Sequence, residues 1–127
     1  MTCDNSMEIF ADAVSLGSND NWKIATTFHI PGDTRVISVK GKDWGSQFGI
    51  LGSFSNGLVT NESWKCSSVL YSGWNSPDFN DQLWPFAKVV GNHGDSPWGF
   101  IAGIAQTAKW IWTAGQDDDV YCRLNLQ

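Results

Sequence analysis

The sequence predicts an all-β domain, an antiparallel β-sandwich or jelly roll. Two observations predict it. Thirteen Gly, four Pro and many Ser, Asn and Asp interrupt the chain at short intervals, leaving little room for helices. Between the interruptions lie short runs rich in Val, Ile, Phe, Thr and Trp, the side chains that fit a pleated surface. Seven or eight such runs separated by turn signals are the pattern of a sandwich.

The elements follow in order. Residues 7–14 read MEIFADAV and lead into a polar turn, GSNDN. Residues 22–30, WKIATTFHI, nearly alternate and are closed by Pro-Gly-Asp. RVISVK (35–40), FGILGSF (48–54) and LVTNESWKCS (58–67) supply three further strands, and residues 86–90, 109–113 and 120–126 complete the set. Helical signals are confined to 79–84, where Asp81 is placed to cap a turn, and part of 100–107. A single domain spanning 1–127 is expected, since this length buries a real core and no linker divides it.

Charge narrows the partners. The net charge is −5, with six Lys and two Arg that form no cluster, and the pI is about 4.6. Phosphate binding needs clustered cations, so the chain is expected to bind neither nucleic acid nor an anionic membrane surface. No apolar run is long enough for a transmembrane helix, and no membrane insertion is expected. The opening MTCDNSMEIF lacks the layout of a signal peptide. The favoured expectation is the mature stretch of a secreted protein, with the cytoplasm as the alternative. Cys3, Cys66 and Cys122 allow three single bridges, each leaving one thiol over. Asn61-Glu62-Ser63 is an N-glycosylation sequon, which carries meaning in a secretory setting.

Catalytic signatures are missing. There is no G-x-S-x-G, H-E-x-x-H, P-loop or dinucleotide fingerprint. The two Glu, Glu8 and Glu62, leave a glycosidase pair to Asp. His93 beside Asp95 could serve as a base, but a polar loop histidine accounts for it without a nucleophile motif. The chain is therefore read as no enzyme. Asp117-Asp118-Asp119 could hold calcium through carboxylate oxygens, and a solvated hairpin turn accounts for the same run.

Eight Trp stand at 22, 44, 64, 74, 84, 98, 110 and 112, against an average of roughly one per hundred residues. A Trp offers a large flat apolar face and one N–H donor, which suits a core and equally a platform for sugar rings.

Five stretches carry a family resemblance. They are WNSPDFNDQLWPFA (74–87), AKWIWTAGQDDDVYCRLNL (108–126), CDNSMEIFADAVSLGSNDNW (3–22), GDTRVISVKGKDWGSQFGILGSF (32–54) and VTNESWKCS (59–67). Together they resemble the galactose-binding-domain-like jelly-roll modules of glycoside hydrolases, including the rhamnose-binding modules of rhamnosidases. The departures are specific. The family's Asn-Gly hairpin turn is Asp12-Ala13 here, so that turn is expected to differ. Its Asp-Asp is Asn80-Asp81, and its Gly-Gly becomes Gly45-Ser46-Gln47-Phe48. The segment order is rotated, with the WIW…R strands closing the chain. That is geometrically reasonable if the termini are neighbours, and it would set Cys3 and Cys122 in adjoining strands.

The resemblance sorts the tryptophans. Trp64, Trp74, Trp84, Trp110 and Trp112 fall at positions the family uses for its core, and Trp110 and Trp112 share one strand face by the two-residue period. Trp22, Trp44 and Trp98 lie among Gly, Asp, Asn and Pro, the composition of loops that carry binding groups. Trp44 is the leading stacking residue. The resemblance implies that Asp4-Asn5 contributes to ligand and calcium binding, and Asp43 and Gln47 flank Trp44 with groups that pair with hydroxyls. The expected sugar site is thus Asp4, Asn5, Trp22, Asp43, Trp44, Gln47 and Trp98, and the expected calcium ligands are Asp4, Asp117, Asp118 and Asp119. The expected function is non-catalytic, lectin-like carbohydrate binding, with a homo-oligomer supplying avidity for a weak site. The alternative is a protein–protein or extracellular-matrix interaction module anchored by Trp44 and Trp98.

Overall fold

The computed structural model describes residues 1–45 and 47–126; Ser46, part of the Gly45–Phe48 departure above, lies outside them. Among the described residues there are nine strands and no helix: β1 Thr2–Asp4, β2 Ser6–Ala11, β3 Val14–Asn19, β4 Val36–Lys42, β5 Gly49–Leu51, β6 Lys65–Ser67, β7 Lys88–Asn92, β8 Lys109–Trp112 and β9 Asp119–Asn125. They form two antiparallel sheets, ordered β1-β5-β8-β7 and β3-β2-β4-β9-β6. The molecule is an all-β sandwich, as the sequence predicts.

Period-two alternation explains the core. In β4, Ile37, Val39 and Gly41 face inward while Ser38, Lys40 and Lys42 face out, and β9 matches them with Val120 and Cys122 inside and Tyr121 and Arg123 outside. From the other sheet come Cys3, Ile50 and Ile111, with Trp64 and Trp112 filling the ends. All of these are removed from water, and each large apolar side chain so buried contributes about 1.5–3 kcal/mol. Gly41 suits a crowded position, where an added Cβ would sit 3.0 Å from the Trp112 ring and close to Val120 and Ile50.

Both sheets carry a second apolar layer on their outer faces. Trp98 stacks on Trp110 at 4.5 Å beside Leu51, Ile101 and Ile104, on the four-stranded sheet. On the five-stranded sheet, Trp74, Trp84 and Tyr121 gather with Phe10 and Phe79 around Arg123. Trp110 and Trp112 therefore end in different layers. The register of the paired strand β7 shifts between Val89 and Gly91, opposite Ile111 and Trp110, where the two-residue alternation breaks.

Several expectations are corrected. Residues 22–30 form no strand, because their backbone is held by a side chain and a chain end: Asn19 donates to the Ile24 carbonyl at 2.8 Å, and Thr26 exchanges bonds with Met1. The run 7–14 belongs to a hairpin instead, β2 and β3, with Asp12-Ala13 at its tip and GSNDN largely inside β3. Asp12 and Ala13 both adopt positive φ (47° and 70°), so this turn keeps the left-handed geometry that Asn-Gly favours. Neither 79–84 nor 100–107 is helical; Trp84 N–H turns back to the Asp81 carbonyl, and the Asp81 side chain pairs with Arg123. Cys66 and Cys122 face each other across β6 and β9 and are bridged, while Cys3 lies in the opposite sheet as a buried free thiol. Met1 and Leu126 line the same cavity at one end of the sandwich.

Candidate functional site

One end of the sandwich collects most of the residues singled out by the sequence. Here β1 and β4 finish and β9 begins. Asn5 N–H donates to the Lys42 carbonyl at 2.9 Å, and Asp43 N–H donates to the Asp118 carbonyl at 2.8 Å. These bonds tie the Asp4-Asn5 corner, the 43–45 loop and the 117–119 turn into one surface. The Asn5 side chain accepts the Trp44 N–H at 2.6 Å, and Asp43 Oδ1 accepts the Gly45 N–H at 2.9 Å. The backbone under Trp44 is thus fixed by two short polar side chains, while its ring is held out into water. At 65% exposed it is the one tryptophan of eight with an open face. Gln47 is exposed just beyond it.

Beside Trp44 runs an open groove of about 440 Å³ across the outer face of β2, β3 and β4, lined by Ser6, Glu8, Ser18, Lys40 and Lys42 among others. The aromatic layer around Arg123 lies on the same sheet and reaches β2 through Phe10. Cross-strand pairing sets the groove's rows, Ser6 opposite Lys42 and Glu8 opposite Lys40. Glu8 accepts from Ser15 at 2.7 Å, and Lys42 lies 3.8 Å from Asp119. Reading for loop aromatics missed these groove residues. The signal was present in the alternation of SMEI and VKGK, which turns every second side chain outward.

The other expected residues take different places. Asp4 is buried and accepts the indole N–H of Trp98 at 3.0 Å. Burial pushes its carboxyl above the usual range, the Trp98 bond pulls it back, and the charge of Asp43 adds to the rise. Trp98 is 8% exposed and its face is taken by Trp110, so it presents no platform to solvent. Trp22 is half-buried against Leu51 and its neighbours, two residues beyond Asp20, which lines the groove beside Trp44. Asp117 Oδ2 accepts from Thr113 at 2.8 Å, and its carbonyl accepts the Trp112 indole N–H at 2.8 Å. Asp118 contributes its carbonyl to Asp43, and Asp119 faces Lys42. Among the described residues no three His, Cys, Asp or Glu side chains converge where an ion could sit.

His93 does not pair with Asp95. Its Nδ1 faces the Ala105 carbonyl at 3.0 Å, its Nε2 accepts the Ile101 N–H at 2.8 Å, and Asp95 accepts the Asn92 N–H. Both ring nitrogens are spent on backbone. A larger cavity, about 590 Å³, opens at the opposite end of the sandwich. Its lining mixes Ile9, Ile37, Phe28 and Phe54 with the polar side chains of Thr26, Thr27, His29, Ser53 and Asn56.

A stretch of 55 residues, 42% of this chain, is 40% identical to part of an alpha-L-rhamnosidase from Streptomyces avermitilis. The match spans 5% of that enzyme's length. No family model matches the chain, and no solved structure matches it. The partial likeness and the two-sheet architecture together fit a carbohydrate-related β module.

Proposed function

We propose that this chain is a non-catalytic carbohydrate-binding module of the galactose-binding-domain-like kind, with its site at the Trp44 end. The observation that carries the reading is Trp44 itself. Exposing so large an apolar face forgoes burial free energy on the order of 1.5–3 kcal/mol, and the Asn5 bond holds the residue in that position. A sugar ring stacked on the indole would bring its hydroxyls within reach of the Gln47 side chain and of Ser6, Lys42 and Glu8 along the groove. Asp4, Asn5 and Asp43 support the platform through their bonds to Trp98, Trp44 and Gly45.

The name of the matched enzyme makes terminal α-L-rhamnose the first sugar to try. The test is a glycan array probed with the purified chain and with Trp44→Ala, each in calcium and in chelator. Binding to a coherent set of terminal sugars that is lost in Trp44→Ala supports the reading, and comparison of the two buffers gives calcium's part in it. A blank array for a folded chain contradicts it.

An interaction module is the second reading. Leu83 is 96% exposed, and Val69, Leu70, Tyr71 and Phe86 are also open to solvent. A saturable protein ligand whose binding survives Trp44→Ala and fails in Leu83→Asp would favour it.

A further inference from the structure

We propose that Asn61 is an N-glycosylation site, accepting an oligosaccharide on its side-chain Nδ2 when the chain is made in a eukaryotic secretory pathway. Residues 61–63, Asn-Glu-Ser, are the chain's sole Asn-x-Ser/Thr triplet. Such triplets arise by chance, and the structure adds three observations to this one.

The first is display. Glu62 and Ser63 are exposed and Asn61 is partly so, between two buried anchors. The Thr60 hydroxyl donates to the Lys109 carbonyl at 2.7 Å, and Trp64, fully buried, donates its indole N–H to the Val59 carbonyl at 3.1 Å. The turn projects from a fixed base, so a branch attached there displaces no core side chain.

The second is the chemistry of the amide. Asn61 Oδ1 accepts both the Ser63 N–H at 2.8 Å and the Ser63 hydroxyl at 2.6 Å. No hydrogen bond among the described residues engages Nδ2, and it is not among the buried unpartnered side-chain nitrogens, so both its hydrogens are free of the fold. Transfer forms a bond between Nδ2 and the anomeric carbon of an oligosaccharide carried on a lipid pyrophosphate. The carbon–oxygen bond to the carrier breaks, the lipid pyrophosphate leaves with the electron pair, and Nδ2 gives up one proton.

The third is the Cys66–Cys122 bridge, five residues further along the chain from Asn61 at its first cysteine. Such bonds persist in the oxidising compartments where this modification is made. Position also matters. Thr60 N–H bonds the Gly52 carbonyl, and the Thr60 carbonyl accepts the N–H of Lys109, where β8 starts. Trp44 lies near the far end of the same strand, where Trp112 meets Asp117.

The test is to secrete the full chain from a eukaryotic host behind that host's leader and weigh it before and after peptide N-glycosidase. The expected result is an added glycan mass that the enzyme removes and that peptide mapping places on Asn61. It is absent from Asn61→Gln and Ser63→Ala and retained in Ser63→Thr. Secreted, disulfide-bonded chain of unmodified mass, beside a control glycoprotein that the same cells modify, overturns the proposal. So does an enzyme-sensitive mass that maps to any other residue of the wild-type chain, a readout that needs no variant to fold.

Discussion

Arg123 on β9 donates its Nε–H to Asp81 Oδ2 at 2.9 Å, 42 residues away in sequence, with the Arg123 residue only 1% exposed. The same guanidinium donates to the carbonyls of Trp74, Ser76 and Phe79 and lies over the Phe79 ring. One side chain thus holds the whole 74–81 segment, which has no strand of its own, against the outer face of the five-stranded sheet. Its planar fork satisfies several acceptors that a lysine could not reach together.

Removing one partner of a buried pair leaves the other charged and unmatched. Asp81→Ala is expected to cost about 3–5 kcal/mol of folding free energy by chemical denaturation. Arg123→Lys should fall between that variant and the wild type. A loss in Asp81→Ala no greater than that of an exposed Asp would show that the pair does not hold the segment.

The pair also sets an acid limb of stability. Burial opposes the charge on Asp81, but the Arg123 bond and charge, with Lys65 and Asn125, hold its carboxyl below the usual carboxylate range. Its contribution is then complete above the unfolded value, about 3.9, and is lost as pH falls through the lower folded value. Asp4 runs the other way, since its raised carboxyl gains stability as pH falls. Denaturation across acidic pH should show a shallower acid loss in Asp81→Asn and a steeper one in Asp4→Asn.

Much of this was legible in the sequence, and the failures share a cause. RVISVK, KWIWT and VYCRLNL are rich in β-branched and aromatic residues, and each became a strand at nearly the expected place. WKIATTFHI nearly alternates, yet its backbone partners are Asn19 and Met1, which no local pattern reveals. Trp98 sits in a Ser-Pro-Trp-Gly loop that reads as solvent. It is buried because Gly91 opens room for its ring, where a Cβ would approach within 2.8 Å, and because Trp110 lies beneath it. Trp44 has the same kind of composition around it and no such partner. Local composition marked both as loop residues; only distant contacts separated them.

The Cys66–Cys122 bridge closes a separation of 56 residues, for which loop entropy gives about 4 kcal/mol of stabilisation. Replacing both with Ala should lower the denaturation free energy by that order. The remaining thiol, Cys3, is pushed far up by burial, so the native protein should not react with a thiol reagent. One thiol should appear on unfolding without reductant; two or more, or rapid native labelling, would refute the pairing.

Ala13 holds a φ of 70° at the tip of the β2–β3 hairpin, a region that costs a residue with a Cβ about 1–2 kcal/mol. Ala13→Gly relieves that cost while loosening the unfolded chain, and a net gain of about 0.5–1 kcal/mol is expected. A thermal or chemical melt decides it, and a loss would mean that the turn adopts another geometry.

The central claim is that Trp44 is a stacking platform, and NMR titration with a panel of free monosaccharides tests it most directly. Eight indole N–H signals report on eight tryptophans. The account predicts that one sugar shifts the Trp44 indole and the amides of Asn5, Asp43 and Gln47 saturably. Trp64 and Trp112 should stay still, and Trp44→Ala should abolish the response with its melt unchanged. Saturable shifts centred elsewhere, or undiminished binding by a folded Trp44→Ala, would contradict it.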